Sequence, residues 1–286
     1  MRQPEQGAKA LRAYEGRRLK LAYHGRYDWD AMLAFLAARA VEGVEQVEDG
    51  RYRRLGSAGW MEISHVPAEA CLRVTPAVPA AEALRVRRLF DLDTDLAVIE
   101  AHFARDPFLA PLVGARPGLR VPGGWDGFEV GMRAVLGQQV SVPAARRLLG
   151  QLTRLCGQGT FPTAGQVRDA DLSALGMPGA RRATLTALAA AAVADPSLFE
   201  RQGTVEETVA RLRAIPGIGE WTAQYIALRA AREPDAFPAS DLGLLRGAAE
   251  GGVRPTPVQL LARAERWRPF RAYAAQHLWT ADALRA

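Results

Sequence analysis

Residues 211–241 read RLRAIPGIGEWTAQYIALRAAREPDAFPASD. Residues 205–214, which run into this stretch, predict a short helix that stops at Ile215-Pro216, because proline cannot continue the hydrogen-bond ladder. Gly217-Ile218-Gly219 predicts a tight turn, and residues 220–232 a second helix. The two glycines permit positive φ and leave backbone N–H groups uncovered, so a phosphate can approach closely. A buried Ile218 between them would pin the turn to the apolar layer beneath. This is the arrangement of a helix-hairpin-helix, which grips DNA by its backbone and not by its bases. A plain αα-hairpin with a glycine turn would carry the same glycines.

Downstream, Trp221, Tyr225 and Leu228 recur at i, i+4 and i+7, on one face of the second helix. Pro234 and Pro238 bracket a short loop that delivers Ser240-Asp241 to the start of another helix, residues 242–248. Asp241 can be a plain N-cap. Alternatively Ser240 is the cap, which leaves the Asp241 carboxylate free for other work.

The chain has 286 residues, 49% hydrophobic and 24% charged, a composition that suits two or three globular domains. Its net charge is +6, almost all from arginine, with Lys9 and Lys20 the only lysines. A basic balance fits a polyanionic partner, although arginine excess alone says little. Two cysteines, Cys71 and Cys156, cannot hold an iron–sulfur cluster and make no disulfide framework. His24, His65, His102 and His277 show no metal-ligand spacing. No signal peptide and no membrane-spanning apolar run is evident, so the expectation is a cytosolic protein.

Residues 1–26 open with a polar, charged arm, and residues 18–23 suggest a first strand. Residues 29–40 form an amphipathic helix with Met32, Leu33, Phe35 and Leu36 on its apolar side. Strands are expected at 51–55, 59–65 and 71–75, separated by Asp49-Gly50, Gly56 and Pro67. Pro79 opens a helix to about residue 90. This reads as a small domain with an antiparallel sheet. From Asp91 onward the pattern is helical: 95–104, then a Pro/Gly-rich connection over 107–124, then 126–136, 144–156, 171–175 and 181–194. Gly137-Gln138-Gln139-Val140-Ser141 links two of these helices, with Ser141 as the expected N-cap.

Five stretches, in order, resemble the AlkA-type 3-methyladenine DNA glycosylases II of the HhH-GPD superfamily. They are YDWDAMLAFLAARAV (27–41), RRLFDL (87–92), ARPGLRVPG with VLGQQVSV (within 115–142), the hairpin with its aspartate, and RWRPFRAYAAQHLW (266–279). The resemblance covers about residues 27–280. It implies an α+β fold: an N-terminal antiparallel-sheet α/β domain (1–91) followed by two all-helical domains. One of these combines 92–127 with 242–286, and the other, 128–241, carries the hairpin, with a cleft between them.

The resemblance also implies chemistry. Breaking an N-glycosidic bond builds positive charge on the sugar, which a carboxylate near C1′ stabilises while helping to orient or deprotonate water. Asp241 stands where the family places that aspartate, and a helix N-terminus favours its negative charge. The base must first leave the stack. Trp221, Tyr225, Trp279 and Phe35 would line the pocket that receives it, each of them alternatively an ordinary core aromatic. An electron-rich indole face suits a base made cationic by alkylation. Gln138 and Gln139 would fill the gap in the duplex. The family form known best has leucine at the second of these positions, so Gln139 is a departure. It could hydrogen-bond the orphaned partner base, or be a solvent-exposed linker. Gly217, Ile218, Gly219 and Thr222 would meet the DNA backbone.

Superfamily members with a lyase step carry a lysine early in the second hairpin helix. Trp221 occupies that place, which implies a monofunctional hydrolase that leaves an abasic site. No cofactor is required by this reading. The carbonyls of Arg213, Ile215 and Ile218 would, by resemblance alone, offer a place for a structural sodium or potassium ion. The expected partner is double-stranded DNA containing alkylated bases, met by a monomer in the cytoplasm, nucleoid-associated in a bacterium. Two alternatives stay open: a same-fold glycosylase for oxidised or mismatched bases, and a non-catalytic helix-hairpin-helix DNA-binding protein.

Overall fold

Alternating apolar residues set the N-terminal sheet. In the computed structural model, which describes residues 17–285, the strands are β1 (Leu19–Ala22), β2 (Glu45–Glu48), β3 (Arg51–Gly56), β4 (Gly59–Val66) and β5 (Cys71–Thr75). They pair antiparallel throughout in the order β1-β5-β4-β3-β2. Tyr52 lies opposite Ile63, which lies opposite Val74, so one row of side chains crosses three strands. That face is buried against helix α1 (Trp29–Arg39) and helix α2 (Ala80–Leu89), through Met32, Leu36, Val86 and Phe90. Period-two patterning on one face and a helical stripe on the other close a single apolar layer.

The remaining chain is helical: α3 (Leu96–Phe103), α4 (Leu109–Ala115), α5 (Gly127–Leu136), α6 (Val142–Cys156), α7 (Ala164–Asp169), α8 (Gly179–Ala194), α9 (Val205–Arg213), α10 (Glu220–Ile226), α11 (Leu242–Gly247), α12 (Pro257–Ala264) and α13 (Arg271–Arg285). Helix α10 continues through one π-helical turn, Ala227–Ala231. A second, larger core joins these helices, with Met132, Leu185, Leu212, Ile226, Leu244 and Leu278 buried in it.

An ion cluster ties sheet to helices. Arg54 of β3 donates to Glu129 of α5 at 2.6 Å and to Glu45 at 3.0 Å, and Arg133 of α5 donates to Glu45 at 2.6 Å. All but Arg133 are almost fully buried. Burial alone would push the Glu129 carboxyl up, but the Arg54 and Arg133 guanidiniums hold it well below the usual range. Helix α5 is therefore fixed at its sheet-facing side, and its other end feeds the Gln138-Gln139 turn.

Several elements differ from the sequence reading. Helix α4 lies inside the expected 107–124 connection, and α7 lies where no element was expected. Residues 171–175 form no helix, because Asp171 accepts from the Ser173 backbone N–H at 2.9 Å and closes a local turn instead. Strand β2 and helix α12 were not foreseen. Most of the polar arm lies outside the described residues. Among the described residues no helix is long and apolar enough to cross a membrane.

Candidate active site

Ile215-Pro216 ends α9, and the chain reverses through Gly217 at φ 85° before α10 begins. A Cβ on Gly217 would overlap Thr184 Oγ1 of α8, so glycine is required there for both space and conformation. Ile218 is buried, as expected from its place between the glycines. Gly219 differs: it has an ordinary φ of −84°, and nothing lies within 4 Å of where a Cβ would stand. It is the N-cap of α10 and offers no side-chain bond. The first N–H groups of that helix are thus presented past an open glycine.

After α10 the chain turns back through the proline-bracketed loop. Gln224 Oε1 accepts the Phe237 N–H at 2.9 Å, and the Pro234 carbonyl accepts the Ala272 N–H at 2.9 Å. The loop is thereby fixed between α10 and α13. It ends at Asp241, whose N–H donates to the Pro238 carbonyl at 2.8 Å. Helix α11 then packs directly on α13, because Gly247 leaves room for the Leu278 carbonyl.

Three elements converge on the Asp241 carboxylate. Oδ2 accepts the indole Nε1–H of Trp221 at 2.7 Å. Oδ1 accepts the indole Nε1–H of Trp279 at 2.8 Å and the Leu244 backbone N–H at 3.1 Å. Asp241, and not Ser240, is therefore the N-cap of α11. Capping does not remove it from other work, since Oδ2 carries only the one bond from Trp221. Gly243 lets the groups close up: a Cβ there would stand 3.0 Å from both Asp241 Oδ1 and Trp279 Cδ1.

The aromatic residues form one wall. Trp221 stacks on Tyr225 with centroids 5.4 Å apart, and Tyr225 meets Trp279 edge to face at 6.2 Å. Phe35, on α1 of the N-terminal layer, joins them through Arg229. The Arg229 guanidinium carbon lies 4.5 Å from the Phe35 centroid, 5.0 Å from Trp279 and 5.5 Å from Tyr225. Arg229 is 3% exposed, with Nη1 donating to the Pro122 carbonyl at 2.7 Å and Nη2 to Gln276 Oε1 at 3.2 Å. Burial lowers it from the usual arginine range to about 10, so it stays a cation at neutral pH. Burial pushes the Tyr225 hydroxyl up, but this cation, with Arg39 and Arg133, outweighs that and lowers it. Sequence reasoning missed Arg229, although it follows Tyr225 by four residues on the same helix face. Leu228, expected on that face, is buried in the helical core.

The two glutamines after α5 part company. Gln139 is exposed and left-handed, at φ 56°. Gln138 turns inward, its Nε2 donating to Thr222 Oγ1 at 3.0 Å and to the Gly217 carbonyl at 3.3 Å. Its side chain is half-buried, with the amide nitrogen held against the hairpin. Thr222 is 3% exposed with its hydroxyl so engaged, so its side chain is not available at the surface. The carbonyls expected to face an ion come from Arg213, Ile215 and Ile218, all at the hairpin; that of Ile215 accepts the Ile218 N–H at 3.0 Å and keeps a second lone pair. Among the described residues no group of three His, Cys, Asp or Glu side chains could hold a metal ion.

Comparison with known proteins puts relatives beside this geometry. Residues 18–126 match the family described as AlkA N-terminal domain. The DNA-3-methyladenine glycosylase 2 of Escherichia coli is 39% identical, over 88% of this chain and 93% of that one. A Mycobacterium tuberculosis protein described as a probable bifunctional transcriptional activator/DNA repair enzyme AlkA is also 39% identical, over 92% of this chain. The match spans only 56% of the mycobacterial protein's length. Among solved structures, a 3-methyladenine DNA-glycosylase from Archaeoglobus fulgidus superposes with a TM-score of 0.79 at 20% identity, over 94% of this chain and 99% of that one. That likeness is one of fold.

Proposed function

The chain belongs to the AlkA family of DNA-3-methyladenine glycosylases, and from that premise we propose that it is a monofunctional DNA glycosylase. It extrudes an alkylated purine of the 3-methyladenine or 7-methylguanine type from double-stranded DNA. It then hydrolyses the N-glycosidic bond, leaving an abasic site for base excision repair. The observation that carries this reading is the Asp241 carboxylate held between the indole N–H groups of Trp221 and Trp279, at the edge of the aromatic wall.

The residues supply the chemistry as follows. As the bond between C1′ and the base nitrogen breaks, its electron pair leaves with the base and positive charge develops on the sugar. The fixed carboxylate stabilises that charge without having to reorganise. Water then forms the new C1′–O bond and loses a proton to the carboxylate or solvent. Alkylation makes the base cationic and a good leaving group, and ring faces attract a cation. Arg229 tempers that attraction, because one cation already lies against three of the rings.

The absence of an amine nucleophile from the hairpin favours hydrolysis over a lyase step. Trp221 stands early in α10, and Lys20 lies on β1, paired with Glu69 at 2.5 Å. The Gly217–Gly219 turn would grip phosphate, with exposed Gln139 entering the gap left by the base. A sodium or potassium ion would be held by the hairpin carbonyls of Arg213, Ile215 and Ile218, neutral donors that suit a monovalent cation. The protein would act as a monomer. Incubation with methylated duplex and with 8-oxoguanine duplex, followed by identification of released bases, tests the reading. Release of 3-methyladenine or 7-methylguanine is expected; release of 8-oxoguanine alone, or of no base, contradicts it.

A further inference from the structure

Gln138 and Gln139 are chain neighbours with opposite surroundings. Gln139 is exposed in the left-handed region, a conformation that an L side chain holds only where its neighbours impose it. Gln138 reaches across 84 residues of sequence to Thr222 Oγ1 and across 79 to the Gly217 carbonyl. Both acceptors belong to the hairpin. That hairpin is itself stiff, since Gly217 packs on Thr184 and Ile218 is buried. On its other side the turn continues α5, through backbone bonds from Gly137 to Arg133 at 3.0 Å and from Gln138 to Val135 at 3.2 Å. The exposed Gln139 therefore projects from a turn tied at one point to the phosphate-gripping element and at another to the ion-locked helix α5.

We propose that Gln138 is a positioning residue, a brace between the hairpin and the gap-filling turn. It does not touch the substrate. Once the hairpin has seated on a phosphate, the brace fixes how far and where Gln139 reaches into the duplex. Grip and insertion then act as one rigid unit, and opening of the duplex needs no separate ordering of the turn. The consequence for excision rests on the glycosylase reading; the brace itself is a property of the free protein.

The test uses the full chain with Gln138→Ala, Thr222→Val and the pair combined, and Thr222→Ser as the variant that keeps the hydroxyl. Hydrogen exchange of the amides over 137–141 is the readout independent of activity. It should accelerate about tenfold in Gln138→Ala and Thr222→Val, the worth of about one hydrogen bond, and Thr222→Ser should restore protection. Single-turnover excision from methylated duplex should fall by roughly five- to tenfold in each, and much less from methylated single strands, where no gap needs filling. The double variant should be no slower than the worse single one. Unchanged exchange in Thr222→Val overturns the brace, as do additive losses or equal losses on duplex and single strands. A wild-type protein that releases no base from either substrate would refute the glycosylase reading, while exchange still decides the brace.

Discussion

The indole Nε1–H of Trp221 donates to Asp241 Oδ2 at 2.7 Å, joining the second hairpin helix to the start of α11 across 20 residues of sequence. The bond fixes the orientation of the carboxylate against the tryptophan that stacks on Tyr225. Trp221→Phe removes the donor and keeps a ring to stack on Tyr225. A hydrogen bond to a charged acceptor is worth about 1.5–3 kcal/mol, so excision should slow by roughly ten- to a hundredfold. Single-turnover rates on methylated duplex measure this; an unchanged rate would mean that the bond does not orient the carboxylate for catalysis.

The two hairpin glycines should behave differently. Gly217→Ala forces a side chain into positive φ and into Thr184, so it should lower the melting temperature. Gly219→Ala meets nothing within 4 Å and should leave stability nearly unchanged. If the turn meets phosphate as proposed, the added methyl group obstructs it, and affinity for damaged and undamaged duplex should fall together, since phosphate contacts carry no sequence information. Thermal melts and binding isotherms at fixed salt separate the two. A loss confined to damaged DNA in Gly219→Ala would argue against backbone contact.

His277 predicts a pH dependence of stability. It is 6% exposed, and burial lowers its pKa to about 4, against which the Asp28 carboxylate pulls only weakly. The unfolded chain, with a histidine near 6.5, binds more protons than the folded one between roughly pH 4 and 6.5. Stability in that window therefore rises with pH: it is fully present above about 6.5 and lost as pH falls toward 4, by as much as about 3 kcal/mol. His277→Leu should flatten this limb in denaturant titrations. An equal slope in wild type and variant would assign the acid sensitivity to other groups.

What the sequence revealed and what it hid divide along physical lines. The strands β3, β4 and β5 were legible because apolar residues alternate between clear turn signals. Strand β2 reads EQVE and has a single apolar residue; Glu45 is buried there only because Arg54 and Arg133 meet it from elsewhere in the chain. Helix α4 was hidden by Pro111, which is tolerated in its first turn. Helices α7 and α12 carry readable start signals, the capping boxes of Thr163 with Gln166 and of Thr256 with Gln259. At the candidate site, Asp241 and its aromatic neighbours stood out by spacing and resemblance. The tie of Gln138 to Thr222 and the burial of Thr222 depend on contacts between distant segments, which no local pattern encodes, whereas Arg229 was marked locally by its place four residues after Tyr225.

The most direct measurement is excision of methylated bases by Asp241→Asn. Asparagine is a good N-cap, so α11 should persist. Its amide, however, carries only one acceptor oxygen, and its NH2 group must face one of the two indole donors. The variant thus loses both the negative charge and part of the orientation, while DNA binding through the hairpin remains. Single-turnover release from methylated duplex should fall by at least about a hundredfold with duplex affinity preserved. Activity within about tenfold of wild type, roughly 1.4 kcal/mol in the barrier, would contradict the assignment of Asp241 as the catalytic carboxylate.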